Sequence, residues 1–246
     1  METWLDDHGR LFNPRPRVSL LPMPTGRPCV VVDEVLANPR GVVDWAAERR
    51  FVEPPGIPYP GVVLDVPQEA ARRVSELFDQ HACGPLGGRR TLATTLRLAM
   101  VTTPPQRLDA RQWQCHRDRL ASDAAPALYA ASVLYLFEDA ALGGTSFYRP
   151  RRGDAEMNRM LVDCHRLNAR DFSERHGVRP GYMDGDNPYF ERVAQVPAAW
   201  NRMIFYDGST FHSGDIGLQR PHSLDPDPRK GRLTMNGFFN CKPVAR

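Results

Sequence analysis

Apolar positions near the N-terminus fall into short runs and helical stripes. Val30-Val31-Val32 is a continuous apolar run that reads as a short buried strand. Asn38-Pro39 then marks a helix start, an N-cap residue followed by proline at the first helical position. Val42, Val43, Trp45 and Ala46 continue it as an amphipathic helix to about Arg50. Residues 1–27, rich in proline and arginine, read as an irregular arm, and the four prolines within 54–60 require a loop. Ala70, Val74, Leu77 and Phe78 share one face and predict a second helix from Pro67 to about His81.

From Thr91 the pattern changes to strands. Leu92 to Val101 is apolar with alternating threonines, and further strands are predicted at Trp113 to Arg119, Leu128 to Phe137 and Thr145 to Tyr148. Residues 153–178 interrupt them with a helical pattern carrying Met157, Met160, Leu161, Cys164, Leu167 and Phe172. Pro180-Gly181, Asp184-Gly185 and Asn187-Pro188 predict a loop over 179–190. Strands resume at Arg202 to Tyr206, Phe211 to Ser213 and Leu233 to Phe239. Many short strands joined by glycine-bearing turns predict a mainly β sandwich or barrel with flanking helices. One domain is expected: residues 1–90 packing on a core of 91–246, with a helical insertion at about 153–191 that serves as a lid, a partner surface or a packing helix.

Composition narrows the class. The 246 residues, 41% hydrophobic and 25% charged, suit a globular protein with one sizeable core. A formal charge of +3, with no basic run long enough to form a stripe, gives no reason to expect a nucleic-acid partner. No apolar stretch approaches the roughly 20 residues of a membrane helix. The start, Met1 to Asp7, is acidic and lacks an apolar signal core, so a cytoplasmic protein is expected. Five dispersed cysteines without a Cys-x-x-Cys pair predict neither a disulfide framework nor a cysteine zinc site.

Three groups of residues carry candidate chemistry. In a strand, His116 and Asp118 project to one face and Arg117 to the other. An imidazole and a carboxylate suit iron(II), although such a pair on its own is more often a surface histidine beside a salt-bridged aspartate. His212 follows an apolar strand and a turn; two histidines and a carboxylate occupy one face of an octahedron and leave three positions open. Arg232 and Thr234 share a strand face, and a guanidinium with a neighbouring hydroxyl can grip a carboxylate. Taken singly, His212 reads as a structural histidine and Arg232 as a member of an ion pair. Asn236 lies on the same face as Arg232 and is the best further pocket candidate among Trp113, Tyr129 and Tyr135. His165 and His176 read as surface residues, His222 as a solvated loop residue and the alternative to His212, and Cys115 as a buried, inert thiol.

The order His116-x-Asp118, the strand Ser132 to Phe137, Gly143-Gly144-Thr145-Ser146-Phe147, distal His212 and Arg232-x-Thr234 resembles the iron(II)/2-oxoglutarate-dependent dioxygenases, and most of all their prolyl-hydroxylase-like branch. The resemblance runs from about Thr91 to Phe239, and Val30 to Arg50 resembles the entry segment of that branch. Asn187 to Phe190, His212 to Asp215 and Gly231 to Asn236 also resemble a group of uncharacterised bacterial proteins of this type. The resemblance implies a double-stranded β-helix core, iron(II) held by His116, Asp118 and His212, and 2-oxoglutarate held by Arg232 with Thr234 and Asn236. It implies an enzyme that uses dioxygen to hydroxylate an amino acid, peptide or small natural product. Related halogenases replace the carboxylate ligand with a small residue; Asp118 is present, which favours hydroxylation or desaturation. The spacing from His212 to Arg232 is about twice that usual in the branch, and the excess, Asp215 to Lys230, reads as a surface excursion. Two other readings stand beside it: a cupin-like metal-binding protein without 2-oxoglutarate chemistry, and a non-catalytic binding module. The oligomeric state stays open, a homodimer being one arrangement.

Overall fold

The structure, a computed structural model, describes residues 1–24, 26–118 and 128–244. The arm is more ordered than its composition predicts. β1 (Arg17–Leu21) pairs antiparallel with β2 (Cys29–Asp33), Val18 opposite Val32 and Leu20 opposite Val30. Trp4 is fully buried, edge-on to Trp45 with ring centroids 5.1 Å apart. The side chains of β1 are largely exposed, so backbone pairing at a sheet edge holds the strand and leaves no apolar pattern to read.

α1 (Pro39–Ala47) begins where Asn38 Oδ1 accepts from Gly41 N at 3.1 Å and stops three residues short of Arg50. β3 (Gly61–Asp65), not foreseen behind its prolines, pairs with β4 (Gly88–Val101). Between them α2 (Gln68–His81) turns Ala70, Val74, Leu77 and Phe78 inward, as their spacing predicts. Then come β5 (Leu128–Tyr135), β6 (Thr145–Pro150), α3 (Asp154–Arg166) and α4 (Ala169–His176). β7 (Phe190–Val196), β8 (Arg202–Asp207), β9 (Phe211–Gly214) and β10 (Leu233–Pro243) complete the chain. β7 was also not foreseen: Glu191, Arg192 and Gln195 break its apolar pattern.

The expected strand from Trp113 to Arg119 does not form among the described residues, and its end at Arg119 lies outside them. A 3₁₀ turn at Ala110–Gln112, closed by a capping box on Asp109, occupies the approach. Only His116 then pairs, as an isolated bridge to His212 with both backbone N–H···O bonds at 2.9 Å.

Seven strands form one antiparallel sheet in the order β1-β2-β8-β5-β10-β4-β3, and β7-β6-β9 form a second. The chain alternates between them. β4 lies in the large sheet, the His116 bridge adds to the small one, β5 returns, β6 and β7 cross over, β8 returns, β9 crosses and β10 returns. That winding is the double-stranded β-helix the resemblance implies. Helices α1 and α2 cover the outside of the large sheet, where Phe78 stacks on Phe239 at 4.2 Å. Tyr135, Phe147, Ile204 and Tyr206 fill the space between the sheets. Helices α3 and α4 cover the other side of the small sheet, Met157, Met160 and Phe172 packing with Tyr148, Phe190 and Phe211.

Candidate active site

His116 and His212 face each other because their backbones bridge, and Asp118 is placed by its own N–H, which donates to Gly208 O at 2.9 Å. The histidine rings lie 4.5 Å apart. His116 Nε2 is 3.6 Å from Asp118 Oδ1, and His212 Nε2 is 3.4 Å from Asp118 Oδ2. One donor atom from each of the three residues falls within 4.8 Å of the other two. His212 is buried against Phe147 and Tyr206. Its Nδ1 lies 2.9 Å from Thr210 O; as the protonated nitrogen it donates there and leaves the Nε2 lone pair facing the carboxylate.

Burial drives the His212 pKa down to about 4, helped by His116 and opposed by Asp118, so the imidazole is neutral at pH 7. Burial pushes the Asp118 carboxyl upward, but the neighbouring His212, His116 and Arg97 outweigh it and hold it below the ordinary value. Asp118 Oδ2 is buried without a hydrogen-bond partner. A carboxylate oxygen facing a neutral imidazole lone pair puts two electron-pair donors against each other. A metal cation between them removes that conflict, so these residues fit a divalent metal. The side chain of His116 is 62% exposed, which leaves the third donor at an open edge.

Arg232 is buried, and its fork is gripped on one side by the Gly-Gly turn: Nε donates to Gly143 O at 3.1 Å and Nη2 to Gly144 O at 3.0 Å. Gly143 has φ 104°, and side chains at either glycine would collide with the Asp215 or Val196 carbonyl, so the motif lets these carbonyls reach the guanidinium. Arg232 makes no ion pair among the described residues. Phe137 lies beside it at 5.6 Å. A methyl group added at Gly214, two residues after His212, would stand 3.4 Å from Arg232 Nη2, which ties the arginine to the strand of the distal histidine. A buried guanidinium that makes no ion pair among the described residues suits an anion.

Alternation along β10 sends Leu233, Met235 and Phe239 to the helical side and Thr234 and Asn236 to the interior with Arg232. The Thr234 hydroxyl donates to Ala99 O over 3.3 Å, and Asn236 Oδ1 is buried without a partner. Tyr135 is buried with its hydroxyl 2.8 Å from Thr145 Oγ1. Trp113 packs away from this region, against the insertion. Cys115 joins the same cluster, and burial pushes its thiol well up.

Two expectations need correction or completion. His176 is not a surface residue: it is buried, with Nδ1 2.6 Å from Tyr189 OH and Nε2 3.0 Å from Asp163 Oδ2, because the break between α3 and α4 folds Asp163 against it. His165 is exposed. His222 is exposed and pairs with Asp225 at 2.8 Å, outside the three-residue cluster. Three residues were missed. Arg97 is opposite Asn236 in the ladder, Tyr59 is near both Arg97 and Arg232, and Tyr182 reaches back from the insertion to donate to Thr103 O at 2.6 Å. Arg97 alone carried a signal, as the single charge in the run Leu92 to Val101.

No curated protein matches in sequence. Solved structures with a similar course include the non-haem α-ketoglutarate-dependent epimerase SnoN from nogalamycin biosynthesis (14% identity, TM-score 0.46, 86% of this chain and 76% of that one). HygX from Streptomyces hygroscopicus, with nickel and 2-oxoglutarate bound, gives 12% identity and TM-score 0.43 over 87% of this chain and 82% of that one. An N-substituted L-amino acid dioxygenase from Burkholderia ambifaria AMMD gives 10% identity and TM-score 0.40 over 94% and 98%. Likeness at this level says nothing about chemistry. The match that does place the chain is to a family model described as a family of unknown function (DUF6445), over residues 14–239. With that model spanning most of its length, the chain belongs to the DUF6445 family.

Proposed function

We propose that this protein is an iron(II)/2-oxoglutarate-dependent dioxygenase that hydroxylates an amino acid, peptide or small natural product. The carrying observation is the meeting of a partnerless Asp118 oxygen with two imidazoles, together with a buried arginine that makes no ion pair among the described residues. His116, Asp118 and His212 hold the metal; Arg232 holds the far carboxylate of 2-oxoglutarate, and the Thr234 hydroxyl on the same inner face would turn from Ala99 O to join it. Bound iron(II) and 2-oxoglutarate supply oxidation of an unactivated C–H bond by dioxygen, with succinate and carbon dioxide as co-products.

The residues themselves bind, orient and dry the site. Thr210 fixes the His212 tautomer, so the metal-facing nitrogen needs no proton loss at neutral pH. Gly143 and Gly144 hold the Arg232 fork before any ligand arrives, which lowers the ordering cost of binding. Phe147 and Tyr206 exclude water behind His212, while exposed His116 borders the side from which substrate enters. Asp118 fills the third ligand position, which in this reading directs the chemistry toward hydroxylation rather than halide transfer.

The test is succinate formation from 2-oxoglutarate with iron(II) in air. Wild-type protein should form succinate slowly without added substrate, and Asp118→Ala and His212→Ala should each reduce the rate by about 100-fold or more. Undiminished turnover in either variant contradicts the ligand assignment. No turnover by the wild type would favour a metal-binding protein without this chemistry.

A further inference from the structure

A second guanidinium stands in the barrel. Arg97 on β4 lies directly across the ladder from Asn236, and Ala99 from Thr234, so Arg97 projects to the inner face with Thr234 and Asn236. Its guanidinium carbon lies 5.3 Å from the Phe238 ring centroid and 5.9 Å from that of Tyr59. Its Nε is buried without a hydrogen-bond partner, and it makes no ion pair among the described residues. Asp65 stands opposite on β3 but is exposed and also unpaired there. Asn236 Oδ1, facing the same space, is a buried acceptor with no donor.

Charge balance asks what Arg97 is for. In the loaded site a divalent metal, the Asp118 carboxylate, the 2-oxoglutarate dianion and Arg232 together come to neutrality. Arg97 then stands as a positive charge that no carboxylate contacts among the described residues, since Asp65 opposite it is exposed and unpaired, in a region partly screened from water by two aromatic rings. An anion on the molecule to be oxidised restores neutrality. A planar guanidinium near two aromatic rings suits a carboxylate, and Asn236 Oδ1 suits an N–H donor close to it.

We propose that Arg97 binds the carboxylate of the primary substrate, and that this substrate is a free or N-acylated amino acid whose N–H meets Asn236. This narrows the dioxygenase reading above and rests on it.

The test presents the iron(II)- and 2-oxoglutarate-loaded protein, in air, with the common L-amino acids and their N-acetyl derivatives, each beside its primary carboxamide. Succinate formation is the readout. At least one free acid should raise the rate about tenfold over the rate without substrate, and its carboxamide should not. Arg97→Gln should raise the apparent KM for that acid by at least about tenfold, with the KM for 2-oxoglutarate within about twofold of wild type. If the Gln variant does not fold, Arg97→Lys, which keeps the charge and loses the planar fork, should show the same split to a smaller degree.

Three results overturn the proposal: carboxamides that stimulate as well as acids, no stimulation by any acid, or a variant whose KM for 2-oxoglutarate rises instead, which would give Arg97 to the cosubstrate. Absence of any succinate from the wild type, with or without acid, overturns the dioxygenase reading itself and this one with it.

Discussion

Asp118 shows how much of the site is decided at single residues. Its carboxylate has burial against it and two imidazoles for it, and it ends ionised beside a His212 that burial keeps neutral. The side-chain types and their order along the chain made these three residues legible. The route to them was different from the one the spacing implies: His116 and Asp118 converge through one bridge and one backbone hydrogen bond, not through a continuous strand. Arg232 was legible for the same reason, and its long separation from His212 does no harm because 215–230 contains neither helix nor strand. Removing its side chain deletes the guanidinium that the Gly143 and Gly144 carbonyls hold in place. Arg232→Ala should therefore raise the KM for 2-oxoglutarate by about 30-fold or more, with a smaller effect on kcat, in steady-state succinate assays. An unchanged KM would move the anchor elsewhere. Arg97 was overlooked because one charge in an apolar strand looks like a solvated edge until its ladder partner is known.

Among the elements, the helices were the most readable, since their signals are local. Asn38 closes the first turn of α1 and also donates to the carbonyls of Thr3 and Leu5, tying the arm down. Asn38→Ala should cost about 1 kcal/mol or somewhat more in denaturant unfolding. Phe78 is fully buried between α2 and the sheet, stacked on Phe239 and 5.5 Å from Phe205. Phe78→Ala should cost about 3–5 kcal/mol by the same measurement, and a loss below about 1 kcal/mol would mean that α2 is not docked as described. Strands β1, β3 and β7 were illegible because sheet-edge positions and mixed polarity erase the period-two pattern, and what holds them is a partner far along the chain. The insertion's helices were readable, but its reach was not. Met183 accepts from Cys115 N at 3.3 Å and Asn187 donates to Gln114 at 3.0 Å, so it braces the segment that carries His116.

At the scale of the molecule, two sheets wound by alternate crossings put residues 97, 116, 118, 212 and 232 into one interior, although they span more than half the chain. Short strands and glycine turns suggested a barrel, and the order of motifs suggested which one; sheet order and register came only with the structure. Among the described residues no helix is long and apolar enough to cross a membrane. The family match covers residues 14–239, which includes β1, nearly all of the barrel and Arg97, His116, Asp118, His212 and Arg232.

Metal and cosubstrate meeting in that interior can be observed directly. Under anaerobic conditions, iron(II) and 2-oxoglutarate added to the wild-type protein should together produce a visible charge-transfer band that saturates at one equivalent of each. The band should be absent from His212→Ala. A wild-type protein that gives no band, or a His212→Ala protein that gives the full band, would show that these side chains do not form an iron and 2-oxoglutarate site.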